Sequence, residues 1–194
     1  MLVAGIVVGV RVMSGVWEVG VVGVGEYGVG DVVVRRAVGR DGRGLTRLVR
    51  GSRAYQGKYA AMVEGYRVGA DYIEAHRVFA AVEGGGPAGG GSRGEQGEAG
   101  RVLGFYSLVV EAGELDLMFV ADRAQGRGIG RMLVEHMKGE ARRLGVERVR
   151  VVSHPPAEGF YRSVGARQVG VVWANPPVVR WDRPEFEIVT AGSA

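Results

Sequence analysis

The chain has 194 residues, 46% of them hydrophobic and 24% charged, which suits one soluble domain with a sizeable core and some extra length. It contains no Cys, which excludes disulfides, zinc thiolate sites and a cysteine nucleophile. The apolar start, residues 1–10, is too short to span a bilayer, lacks the basic segment of a secretory signal and ends at Arg11. No membrane partner is expected, and the cytoplasm is the expected compartment.

The formal net charge of +4 permits an anionic partner. Lys58 and Lys138 are the only lysines, so the basic charge is almost all Arg, and the abundance of Gly, Val, Ala and Arg fits a GC-rich coding bias. No basic stripe interleaved with aromatics occurs, so no nucleic-acid partner is expected.

In chain order, residues 1–30 repeat Gly and Val with little punctuation and read as a poorly ordered extension; an extra edge strand is the alternative. The domain is expected over residues 31–190. Residues 32–37 form a first strand by β-branched content. Asp41 is placed to cap the next helix, which carries Leu45, Leu48 and Val49 at helical spacing. A second helical region runs over 54–75, broken near Gly65 and Gly69, and 78–82 is a strand. Residues 83–100 are Gly-rich and read as a flexible, overgrown hairpin loop. Strands follow at 101–110 and 114–120. Residues 126–144 form an amphipathic helix with Ile129, Leu133, Met137, Ala141 and Leu144 on one face. A strand at 148–153, a short helix at 157–164 ended by Gly165, and strands at 169–173 and 185–189 complete the order. The fold class is α+β, a mixed α/β sandwich around one sheet.

The segment Gln125-Gly126-Arg127-Gly128-Ile129-Gly130-Arg131 joins a strand to a helix. Glycines let the backbone approach a ligand closely. The first helical turn has unpaired N–H groups that favour an anion. Arg127 and Arg131 add charge-assisted contacts. A phosphate or pyrophosphate is therefore expected here. A Walker loop is excluded because Arg131-Met132 follows the last glycine, and the dinucleotide fingerprint fails by one residue.

Gln125-x-x-Gly128-x-Gly130 resembles the Gln/Arg-x-x-Gly-x-Gly/Ala motif of the GNAT superfamily of N-acetyltransferases. Pro155-Pro156-Ala157-Glu158-Gly159-Phe160-Tyr161, running on to Gly165-Ala166, is similar to that family's second motif. One helix and one strand separate the two motifs, as in the family, and the resemblance covers residues 31–189. It implies the GNAT acyl-CoA N-acyltransferase fold, with a central, mostly antiparallel, twisted sheet flanked by helices. It implies that Gln125, Gly126, Arg127, Gly128, Ile129, Gly130 and Arg131 bind the pyrophosphate of acetyl-CoA. It also implies that the strand holding Phe119 and Val120 splays from the 148–153 strand, takes the pantetheine arm in the gap and hydrogen-bonds it through backbone amides. Pro156 departs from the pattern, since many relatives carry an Asn contact near this point; His154 or Ser153 can substitute, or the contact is absent.

Acetyl transfer needs a neutral amine, donors for the developing oxyanion and a proton for the departing thiolate. By resemblance Tyr161 is the acid. For the base, Glu114 and Asp116 share one strand face by the two-residue period; Glu114 is as far before Gln125 as the catalytic glutamate of histone-acetylating members, and water is the alternative. Tyr55, Tyr59, Tyr66 and Tyr72 can wall the acceptor site, with Trp173, Asn175 and Trp181 opposite. The three His residues are scattered, and no metal is expected. The implied function is acetyl transfer from acetyl-CoA to a primary amine of a small molecule or protein. A non-catalytic acyl-CoA-binding regulatory domain is the alternative, and monomer and homodimer both remain open.

Overall fold

A computed structural model describes residues 4–6, 28–29, 32–84 and 100–190. The disorder expected over the rest of residues 1–30 and the mobility expected over 85–99 lie outside these described residues.

Described strands are β1 (Ala4–Ile6), β2 (Gly28–Val29), β3 (Val32–Arg36), β4 (Arg77–Glu83), β5 (Arg101–Val109), β6 (Glu114–Val120), β7 (Arg148–Val152), β8 (Arg167–Val172) and β9 (Arg183–Val189). The helices are α1 (Gly42–Arg50), α2 (Ala70–Ala75), α3 (Ile129–Arg143) and α4 (Glu158–Ser163). One sheet runs in the order β2-β3-β4-β5-β6-β7-β9-β8. Every described pairing is antiparallel except β6 with β7, which is parallel. The expected α+β class with a mostly antiparallel sheet is the one observed.

The sheet separates two apolar layers. Leu45 and Val49 of α1, Ile73 of α2, and Phe105, Leu117 and Phe119 of the sheet share one cluster. Leu115, Met118 and Val120 join α3 and α4 in the other. Leu115 and Leu117 would share a face in a regular strand. They fall in opposite clusters because Ser107 pairs with Leu117 while Leu108 pairs with Leu115, leaving Asp116 as an extra, bulged residue. Such a bulge bends the strand and re-aims a side chain.

Several expectations need correction. The described residues of 1–30 are strands of the sheet, the alternative to an unpaired extension: Gly28 and Val29 pair with Val33 and Val32, and Ala4–Ile6 pairs with residues 117–119 of β6. The region 54–75 is one short helix, α2, preceded by two 3-10 turns over 53–55 and 57–62. Ile129, Leu133, Met137 and Ala141 are buried as expected, but Leu144 follows the helix and is 39% exposed. Asp41 precedes α1 yet makes no side-chain cap. Its carboxylate is taken instead by Arg35, at 2.7 and 2.9 Å, and by the Val38 amide at 2.8 Å. Burial alone would raise the Asp41 pKa; the Arg35 and Val38 hydrogen bonds outweigh it and hold the group below the usual carboxylate range.

Candidate functional site: the β6–β7 gap and the 125–131 turn

β6 and β7 pair only at Glu114 and Arg150. Beyond that point β6 leads through the 3-10 turn at 122–124 into residues 125–128 and then α3. Gly126 and Gly128 have φ of 79° and 81°, a left-handed backbone that favours glycine. A Cβ on either would meet no atom within 4 Å, so both border open space. The first α3 amides, those of Ile129, Gly130 and Arg131, lack intrahelical acceptors, and no backbone carbonyl among the described residues takes them. A cavity of about 270 Å³ opens here, lined by Gln125, Gly126, Gly128, Gly130 and Arg131, with Phe160 and Ser163 of α4 on its far side. Gln125 is anchored by its Nε2, which donates to Asp122 at 3.1 Å. Arg127 is ion-paired with Glu83 at 2.8 Å, and Arg131 donates to the Ser163 carbonyl at 3.2 Å; both are exposed and able to turn toward a ligand. Of the sequence-predicted turn residues, Gln125, Gly126, Gly128, Ile129, Gly130 and Arg131 line this cavity, and Arg127 does not.

Tyr161 of α4 is fully buried, and its hydroxyl has no partner among the described residues. Leaving a buried hydroxyl unsatisfied costs on the order of 1–3 kcal/mol. Burial pushes its pKa far up, so the hydroxyl stays protonated at neutral pH. The hydroxyl of Tyr55 and Nδ1 of His154 are buried and unpaired as well. Tyr55 stacks on His154 with ring centroids 4.4 Å apart, and it packs on Phe119 at 5.7 Å. His154 donates from Nε2 to the Ala54 carbonyl at 3.0 Å, leaving Nδ1 as a bare acceptor. Burial lowers the His154 pKa to about 4, so the ring is neutral. Ser153 is already satisfied, donating to the His154 carbonyl at 2.9 Å. Of the two candidates for the missing Asn contact, His154 therefore retains a free polar atom.

The two candidate carboxylates occupy different settings. Glu114 is ion-paired with Arg150 at 2.7 Å, and Arg150 also holds Glu185 at 2.5 Å. Asp116, at the bulge, accepts a short hydrogen bond from the Tyr72 hydroxyl, which lies 2.8 Å from the Ser107 hydroxyl. Burial raises the Asp116 pKa to about 6, against the opposing Tyr72 hydrogen bond, with nearby Glu114 adding to the rise. Ser107 was not legible as a site residue; its only signal is one hydroxyl inside the apolar run Phe105-Tyr106-Ser107-Leu108.

The expected aromatic wall is partly assembled. Tyr59 packs edge-on against His154 at 4.2 Å and Trp181 at 4.5 Å. Trp173 is 72% exposed and does not join it. Asn175 is engaged through its backbone with Val179. Among the described residues no cluster of three or more His, Asp or Glu could hold a metal ion, and no helix is long and apolar enough to cross a membrane.

A family model described as "Acetyltransferase (GNAT) domain" matches residues 96–173, which include the turn, α3 and α4. No curated protein matches the chain in sequence. The fold is similar to a GCN5-related N-acetyltransferase from Rhodopseudomonas palustris, with a TM-score of 0.64, 13% identity, and 80% of this chain and 94% of that one covered. It is similar to the ribosomal-protein-S18-alanine N-acetyltransferase of Escherichia coli, with a TM-score of 0.56, 16% identity and coverage of 84% and 96%. It is also similar to a GNAT superfamily phosphinothricin acetyltransferase of Sinorhizobium meliloti solved in complex with AcCoA, with a TM-score of 0.56, 18% identity and coverage of 82% and 88%. Both sequence motifs fall inside the matched segment, and the sheet around them has the same fold as these solved structures.

Proposed function

We propose that the chain is an acetyl-CoA-dependent N-acetyltransferase that moves the acetyl group directly to a primary amine of a small molecule or protein. The observation that carries this reading is the divergence of β6 from β7 directly beside an anion cradle with open space at Gly126 and Gly128. A long thioester with a pyrophosphate at its far end suits that combination. The unpaired Tyr161 hydroxyl also fits, because it lacks the partner that a sulfur would supply.

Acetyl-CoA supplies the activated acyl group. The cradle holds the pyrophosphate through amides at 129–131 and through Arg127 and Arg131. Backbone amides of β6 near Phe119 and Val120 orient the arm and the carbonyl oxygen. Asp116 takes one proton from the incoming ammonium; the lone pair of the resulting neutral amine forms the C–N bond as the C–S bond breaks, and the second proton then leaves the nitrogen to solvent. Tyr161 gives its proton to the leaving sulfur and is reprotonated from solvent. Glu114 is the less suitable base, because withdrawing it from Arg150 leaves that guanidinium short of one partner.

Two predictions arise here. As a general base, Asp116 works only as the carboxylate, so kcat/KM should fall as pH drops through about 6, the value set by its burial. Asp116→Asn should remove that limb together with most of the activity. Tyr72→Phe should move the limb upward by about one pH unit, because it deletes a hydrogen bond worth roughly 1 kcal/mol to the ionised form. A limb unchanged in both variants would exclude Asp116.

The second concerns β1. Residues 4–6 pair with 117–119, the β6 edge assigned here to the pantetheine arm, and lie beside β7 and the 155–157 turn. The strand and the arm cannot occupy that edge together. Alternate residues of a strand direct their N–H groups to opposite sides, so Ala4→Pro with Gly5→Pro removes whichever donor faces β6. Acetyl-CoA should bind about tenfold tighter to this variant, the scale of one or two net hydrogen bonds. Weaker binding would mean that the strand builds the site instead of competing for it.

The function itself is tested by free-thiol release from acetyl-CoA across a panel of primary amines. Amine-dependent release is expected; cofactor binding without release for any amine would support a binding-only domain.

A further inference from the structure

A second and larger cavity, of about 1000 Å³, lies between α1, the start of β5 and the end of β6. Arg40, Arg43, Arg47, Arg101 and Arg123 line it. Arg40, Arg43 and Arg47 follow three- and four-residue spacing into α1, which brings them to one face of the helix and of the turn before it. Like charges so spaced repel one another on a helix face.

The carboxylates at the cavity feel these guanidinium charges, yet their hydrogen bonds go to other residues. Asp41 is buried and held bidentately by Arg35, which is not in the lining. Asp122 accepts from Arg53 and Gln125, also outside it. Glu83, near Arg101 and Arg123, is bonded to Arg127. Among the described residues Arg40, Arg43, Arg47 and Arg101 make no ion pair. Arg123 spends one nitrogen on the Val102 carbonyl at 3.0 Å. Ser52 supplies an independent sign. It lines the cavity, is only 6% exposed, and its hydroxyl has no partner.

We propose that this cavity binds a small molecule bearing several phosphate groups, distinct from the acyl donor. Arginine forks match phosphate oxygens two at a time, and the Ser52 hydroxyl completes the shell. The volume is at the upper end of small-molecule sites, and the walls are concave, which favours a compact ligand over an extended strand. The site meets the cofactor cradle at Val120, which borders both cavities. The inference rests on the acetyltransferase reading only in assigning the 125–131 turn to CoA.

The test is calorimetry of the full chain with sodium tripolyphosphate while the turn is saturated with CoA. One equivalent should bind, more weakly as salt rises. In Arg43→Ala/Arg47→Ala, both exposed helix positions where Ala is tolerated, affinity should fall at least about tenfold while CoA affinity stays unchanged. If CoA itself does not bind, the titration is repeated without it. Loss in the double variant but not in Gly128→Val then still supports the cavity, although the CoA reading has failed. Absence of tripolyphosphate binding overturns the proposal. So does loss of CoA affinity in the double variant together with its preference over 3′-dephospho-CoA, which would give the arginines to the cofactor. Arginine-dependent binding of a single-stranded oligonucleotide without tripolyphosphate binding would also overturn it.

Discussion

Tyr161→Phe should lower kcat by roughly 100- to 10,000-fold at neutral pH, the loss that follows removal of a general acid. The substitution keeps the ring, which packs against Phe160 and Phe186 with centroids 5.3 and 6.0 Å away. It deletes a buried hydroxyl that has no partner among the described residues, so the free protein should be as stable as the parent or slightly more so. Acetyl-CoA affinity should change little. A thiol leaves unaided once pH exceeds its pKa, near ~8.5 for a free Cys, so the deficit should shrink above about pH 9. Steady-state thiol release across pH, with thermal unfolding as the control, measures all three. A variant that turns over like the parent at pH 7 would transfer the acid role to solvent.

Gly128→Val should abolish acetyl-CoA binding. At φ of 81° a β-branched residue is strained, at a cost of about 1–3 kcal/mol. The added side chain would also project into open space that the reading assigns to the pyrophosphate. Arg127→Ala should act more gently, weakening binding by about 1–2 kcal/mol, since its guanidinium must first leave Glu83. Calorimetry distinguishes the two, with circular dichroism to verify that α3 persists. Parent-like affinity in Gly128→Val would place the phosphates elsewhere.

Local chemistry was readable from the sequence where it is written in consecutive residues. The 114–120 strand, the glycine turn and the buried stripe of α3 follow from residue type and period alone. The bulge at Asp116 was not legible, because it depends on which β5 residues face β6. The period-two argument therefore put Glu114 and Asp116 on one face, whereas one is tied to Arg150 and the other to Tyr72. Asp41 looked like a helix cap because its partner, Arg35, is contributed by the preceding strand. The pairing of residues 4–6 with β6 joins segments more than a hundred positions apart, and Gly-Val monotony carries no register signal. The Arg40/Arg43/Arg47 stripe was visible as sequence but had meaning only once Arg101 and Arg123 were seen across the same cavity.

The central claim, that the acyl donor lies along β6 with its phosphates at the 125–131 turn, is tested most directly by hydrogen exchange of the full chain with and without saturating acetyl-CoA. The account predicts new protection at residues 117–120 and 125–131, with loss of protection at residues 4–6 as the strand leaves the β6 edge. Protection confined to other segments, or none under conditions where the donor is bound, would contradict it.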